Sequence, residues 1–223
     1  MVRPHSPTHS PRSRLLADSC VFSQKAKSLP LAPFIALTLD EKVLIFGGRS
    51  EVINQVRENN FVPLESSSLS NKLFRYDPLS NNFSCVETTG APPTPRIDCG
   101  AAPIDSLVFI YGGHDGNNDR ADLYELNMDT RQWTEVITEG RVPRPRRPRI
   151  QPLGFNHILH ITDDGEISLL DVAHKWWTLK ITNTRCESNM GLTRLSARMP
   201  TDNGFVVFFF DHYGSLHALD FKY

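Results

Sequence analysis

The 223 residues carry 24 Lys plus Arg against 25 Asp plus Glu, and 39% are hydrophobic, enough for one or two domains with a buried core. So even a charge balance argues against a chain that coats nucleic acid through a general basic surface. The longest apolar run, "FVVFFF" at 205–210, has the length of a strand and falls far short of the roughly 20 residues a membrane-spanning helix needs.

In chain order, residues 1–17 are rich in Ser, Pro and Arg, lack the apolar stretch of a secretory signal, and are broken by Pro4, Pro7 and Pro11, so a disordered arm is expected. "DEKVLIFGG" (40–48) returns as "DSLVFIYGG" (105–113), a β-rich run ending in paired glycines at a shift of 65 residues. "KLFRYDPLSNNFSCV" (72–86) returns as "DLYELNMDTRQWTEV" (122–136) and again as "EISLLDVAHKWWTLK" (166–180), each an alternating strand, a polar turn, then an aromatic: Phe83, Trp133 or Trp177. "HILHITDDG" (157–165) precedes the third copy, with Thr162-Asp163 where Gly-Gly stands elsewhere. "GFVVFFFDHYG" (204–214) with "SLHALDFKY" (215–223) opens a fourth copy without the aromatic strand. No segment sustains a helical period, and the pattern is all-β. Each unit reads as a four-stranded antiparallel sheet, strands A to D, that must stack on its neighbours to cover both apolar faces.

Gly-Gly after an apolar strand, then Tyr-Asp, then Trp some six residues on, resembles the Kelch repeat. The resemblance covers residues 30–223 and implies a Kelch-type β-propeller of four-stranded blades, about 30–90, 91–140, 141–190 and 191–223, within a domain of 18–223. The 65-residue shift also sets Ser19-Cys20-Val21 on Ser84-Cys85-Val86, so 18–24 is a candidate closing strand for the last blade; an open piece of a longer propeller is the alternative.

No nucleophile elbow, zinc-protease motif or phosphate loop stands in the chain, and neither a cofactor nor a metal is expected. His157 and His160, three apart on a strand, point to opposite faces and are poor joint ligands. Cys20, Cys85, Cys99 and Cys186 form no close pair and read as reduced cysteines of a cytoplasmic protein, with the nucleus as the other location.

"TEGRVPRPRRPRI" (138–150) packs five arginines into the nine positions 141–149. It aligns without a gap on "TTGAPPTPR" (88–96), placing Arg146 on Arg96, and so reads as the joint from strand D to the next strand A. One arginine per joint, Arg194 being the next, belongs to the repeat and is expected to bond loop carbonyls or a carboxylate. In an up-and-down blade the D-to-A joints and B-to-C loops leave from one end, and here those loops are the long 49–70 and the short 114–121. The expected partner surface is therefore this face, with Arg144, Arg146, Arg147, Arg149, His114, Asp115 and Arg49 meeting an acidic peptide or protein surface. Nucleic acid is disfavoured because no aromatics interleave the basic run. The resemblance implies a non-catalytic scaffold or adaptor; the alternative is an enzyme or metal-dependent specifier on the same propeller.

Overall fold

The computed structural model describes residues 34–50, 68–153, 156–162, 166–180, 196–210 and 216–222. The arm, the candidate closing strand 18–24, the turn at 163–165 and Arg194 lie outside them. The described residues form strands and no helix, so none is present that is long and apolar enough to cross a membrane.

The first sheet joins β1 (Ile35–Leu39), β2 (Lys42–Phe46), β5 (Leu73–Asp77) and β6 (Asn82–Cys85) in that order, all antiparallel. From its B-to-C loop rises a small hairpin of β3 (Arg49–Ser50) and β4 (Ser68–Leu69). The second sheet runs β8 (Gly100–Ile104), β9 (Leu107–Tyr111), β10 (Leu123–Asn127), β11 (Gln132–Val136), with β7 (Thr89–Gly90) added outside β11. The third repeats this with β13 (Arg149–Leu153), β14 (His157–Ile161), β15 (Ile167–Asp171), β16 (Trp176–Lys180) and an outer β12 (Glu139–Gly140). In the fourth, β17 (Ser196–Thr201), β18 (Gly204–Phe210) and β19 (Leu216–Lys222) pair antiparallel.

The second and third sheets contain the four antiparallel strands expected of a blade and add a fifth outside them. The fifth is borrowed. On leaving β6 the chain crosses to the next sheet and pairs in parallel with its outermost strand, Thr89 on Gln132 and Gly90 on Trp133; Glu139 and Gly140 do the same on Trp176 and Trp177. Each link covers an otherwise open edge and ties consecutive sheets by backbone hydrogen bonds. Gly140, at φ +85, lies so close to β16 that a Cβ there would run into the Trp177 carbonyl.

Central strands are buried on both faces, which is why they read as unbroken apolar runs. In β9, Val108 and Ile110 face the first sheet, in a core with Leu44, Phe46, Leu73, Leu126 and Trp133. Phe109 and Tyr111 face the third, packing with Leu123, Ile158, Leu170 and Trp177. Strand β14 divides likewise, Ile158 toward the second sheet and Leu159 and Ile161 toward Val207 of the fourth. In the second and third sheets the aromatic of the outer strand reaches back to the residue that precedes Gly-Gly in the sheet before it. Trp133 meets Phe46 with ring centroids 5.5 Å apart, and Trp177 meets Tyr111 at 5.2 Å. His160 is fully buried beside Tyr111 and Trp177, whereas His157 is half-exposed beside Asp171, as opposite strand faces require.

Thr162 stands in for the first glycine of the third copy. Its hydroxyl accepts from the Glu166 amide at 2.8 Å and its own amide donates to the Glu166 carbonyl at 3.0 Å, clipping a connection shorter than the one from Gly112 to Asp122.

Cys85 and Cys99 are both free thiols. Burial pushes the Cys99 thiol up to about 12, and Cys85 is exposed. Iodoacetamide at pH 8 is therefore expected to alkylate Cys85 in the native protein and to reach Cys99 only after denaturation, as read by peptide mass mapping; equal labelling would contradict this packing.

Candidate functional site

Three loops meet above the second sheet. The joint at 96–99 and the B-to-C loop at 112–122 are stitched by reciprocal backbone bonds between Ile97 and His114, at 3.0 and 2.8 Å. The Arg120 amide donates to the Gly113 carbonyl at 2.8 Å, and the Gly113 amide donates to the Pro145 carbonyl of the following joint at 3.0 Å. Gly113, at φ +91, sits where a Cβ would lie 2.5 Å from the Ile97 oxygen and 2.8 Å from the Cys99 nitrogen. The paired glycines are what lets both joints close on the loop.

Arg96 is the pillar under this assembly. Its side chain is fully buried; the guanidinium grips both Asp122 carboxylate oxygens, at 2.5 and 3.0 Å, and donates to the Gly112 and Thr94 carbonyls at 3.0 Å each. Such a planar, bidentate, fully bonded cation is what arginine supplies and lysine does not. The arginine of the joint thus has the carbonyl and carboxylate partners expected of it, with Asp122 not foreseen. It could have been found as the acid immediately before strand C, where Glu166 stands in the third copy.

Arg146 does not repeat this role, which corrects the ungapped alignment. The Gly48 amide donates to the Arg96 carbonyl at 3.0 Å, and the matching Gly113 amide donates to the carbonyl of Pro145, not of Arg146. Up to Gly140 and Pro143 the joints match at a shift of 50; beyond them the second joint is one residue shorter. Arg146 therefore falls where Ile97 stood and is exposed at the surface. Arg147 falls on the place of Asp98, and both take left-handed backbone, φ 48 and 56.

The result is a cleft of about 300 Å³ lined by Ile97, Asp98, Gly113, His114, Asp119, Arg146 and Arg147. Arg147 Nε stands 3.8 Å from the Asp98 carboxylate and His114 Nδ1 stands 3.2 Å from that of Asp119. Of the other expected residues, Arg144 is exposed on the same joint, outside the residues that line the cleft. Asp115 turns into its own loop, where the Asn118 and Asn117 amides, and Arg120 and His114 beyond them, hold its carboxyl below the usual carboxylate range. Arg49 is exposed on the β3–β4 hairpin, which approaches the second sheet's loop where Leu69 lies 3.5 Å from the Cβ position of Gly116. Arg149 opens β13 with its Nε and Nη1 buried, so it is removed from the exposed set: the strand begins one residue earlier than the ungapped alignment places it. Among the described residues no three His, Cys, Asp or Glu side chains stand close enough to hold a metal ion.

Stacked four- to five-stranded sheets, joined through glycine-paired loops and with aromatics packed from sheet to sheet, define a protein built of β-propeller blades. The chain belongs to the Kelch-repeat family: the family model described as the KLHDC2/KLHL20/DRC7 Kelch-repeats domain matches residues 30–179. It is 35% identical over 72 residues to Kelch domain-containing protein 2 of Bos taurus, a match covering 32% of this chain and 18% of the relative. It is 28% identical over 123 residues to the leucine-zipper-like transcriptional regulator 1 homolog of Drosophila melanogaster, covering 52% and 12%. With Kelch domain-containing protein 3 of Rattus norvegicus the identity is 23% over 136 residues, covering 58% and 32%. The matches thus span about a third or less of these relatives' own lengths. Kelch domains of this kind are protein-interaction modules, generally without catalysis of their own.

Proposed function

We propose that this chain is a non-catalytic interaction module, cytoplasmic or nuclear, whose joint and B-to-C loop face engages acidic side chains of a protein partner. The observation that carries the reading is the shortened second joint. It takes Arg146 out of the structural role that buries Arg96, and sets it with Arg147 and the neighbouring Arg144 on the face where three loops are locked to one another. Recognition commonly sits on loops held by a rigid frame, and arginine suits carboxylates through bidentate contacts. Rigid loops also lower the ordering cost of binding.

The test is fluorescence anisotropy with a labelled Glu-rich peptide of about ten residues, titrated with the wild type and with Arg144→Glu/Arg146→Glu/Arg147→Glu. Saturable binding by the wild type and its loss in the folded variant support the reading. Equal binding by both, or none by the wild type, overturns it. The substituted side chains are exposed and each should shift stability by about 0.5 kcal/mol or less, so the triple variant is expected to lose no more than about 1.5 kcal/mol and to stay folded.

A further inference from the structure

We propose that the cleft selects a dipolar partner segment, in which a carboxylate and a cationic side chain lie within one or two residues of each other; this rests on the interaction reading above and specifies its ligand. The cleft is not a basic pocket. Arg146 and Arg147 share it with Asp98 and Asp119, so its two signs are balanced, and His114 stands between Asp119 and the joint.

The pairing follows from how the slip in the second joint places the charges. Asp98 and Arg147 hold the same structural position in consecutive joints, and this equivalence brings opposite charges together across the cleft at 3.8 Å. At that distance they attract without a close hydrogen bond, and the Arg147 side chain is 58% exposed against 17% for Asp98. An incoming carboxylate therefore competes with Asp98 for one guanidinium. A cation delivered on the same segment replaces what Asp98 gives up, and Asp119, with a side chain 41% exposed, offers it a second acceptor. A uniformly acidic segment still reaches the arginines but brings its remaining carboxylates against Asp98 and Asp119, a like-charge opposition that weakens its binding relative to a dipolar segment without abolishing it. The backbone bonds linking Ile97, Gly113, His114 and Pro145 hold both signs in place, so the cleft cannot relax away from the mismatch.

The experiment uses the full chain and three labelled peptides in one Gly-Ser frame: Glu and Lys separated by one or two residues, Glu at both positions, and Lys at both. The wild type is expected to bind the mixed peptide about tenfold more tightly than the all-Glu peptide, a preference that falls with salt. Asp98→Asn/Asp119→Asn should reverse the order in favour of all-Glu, and asparagine tolerates the left-handed backbone at 98. If the wild type binds all-Glu at least as well as the mixed peptide, and loses it with Arg146→Gln/Arg147→Gln, the dipolar selection is overturned while the acidic-partner reading stands. If no peptide binds, both are overturned. The comparison among peptides on the wild type decides the matter even where a variant fails to fold.

Discussion

Replacing Arg96 with alanine is expected to lower the free energy of unfolding by about 3–5 kcal/mol, the range for breaking a buried ion pair by removing one partner, whereas Arg146→Ala shifts it by less than about 0.5 kcal/mol. The two arginines align in sequence, so the contrast tests the one-residue slip directly. Removing the Arg96 guanidinium leaves the Asp122 carboxylate, 16% exposed, with Arg120 at 3.8 Å as its remaining cation, and leaves the Gly112 carbonyl without that donor. Arg146 has no such burial to lose. Guanidinium chloride unfolding followed by tryptophan fluorescence reads both variants, and equal losses would refute the structural assignment. Arg96→Met/Asp122→Leu should recover part of the loss, because removing both charges spares the cost of an unpaired one.

Strands A to C were legible because their residues announce the physics. Runs such as Leu107–Tyr111 are apolar at every position because both faces are covered, and the paired glycines mark where two joints close on a loop. The parallel links were not legible. Thr89–Gly90 and Glu139–Gly140 pair through backbone alone over two residues, too short for alternation to register. The slip in the second joint was hidden because the sequence favours the other register: at a shift of 50 Gly90, Pro93, Pro95 and Arg96 fall on Gly140, Pro143, Pro145 and Arg146, whereas at 49 none of the four meets its like. What reveals it is which carbonyl the Gly113 amide meets, a contact between segments some 30 residues apart. The cleft was half visible for the same reason. His114, Arg146 and Arg147 carried a signal as loop residues of one face, but the acids that balance them, Asp98 and Asp119, look in sequence like ordinary turn residues.

Trp177→Ala is expected to cost about 3–5 kcal/mol, the range for emptying a large aromatic site in a core that relaxes only partly. Trp177 is 1% exposed and lies against Tyr111, His160, Leu170 and Ile158, so its removal opens the contact between the second and third sheets from the side of the outer strand. Phe83 occupies the same place in the first sheet, yet it is half-buried and stacks on Tyr76 of its own sheet at 4.4 Å. Phe83→Ala should therefore cost about 1 kcal/mol, in the range of a single aromatic pair. If the aromatic of the outer strand worked through its own sheet, the two truncations would cost alike. A difference of about threefold, measured by denaturant unfolding with the same slope for both variants, places its effect between sheets, on the residue that precedes Gly-Gly one blade back. It also gives the repeat its physical rule. Tyr111, in the position before Gly112, packs against the tryptophan that the next blade sends back to it, so a substitution there is felt by the neighbouring blade as well as its own.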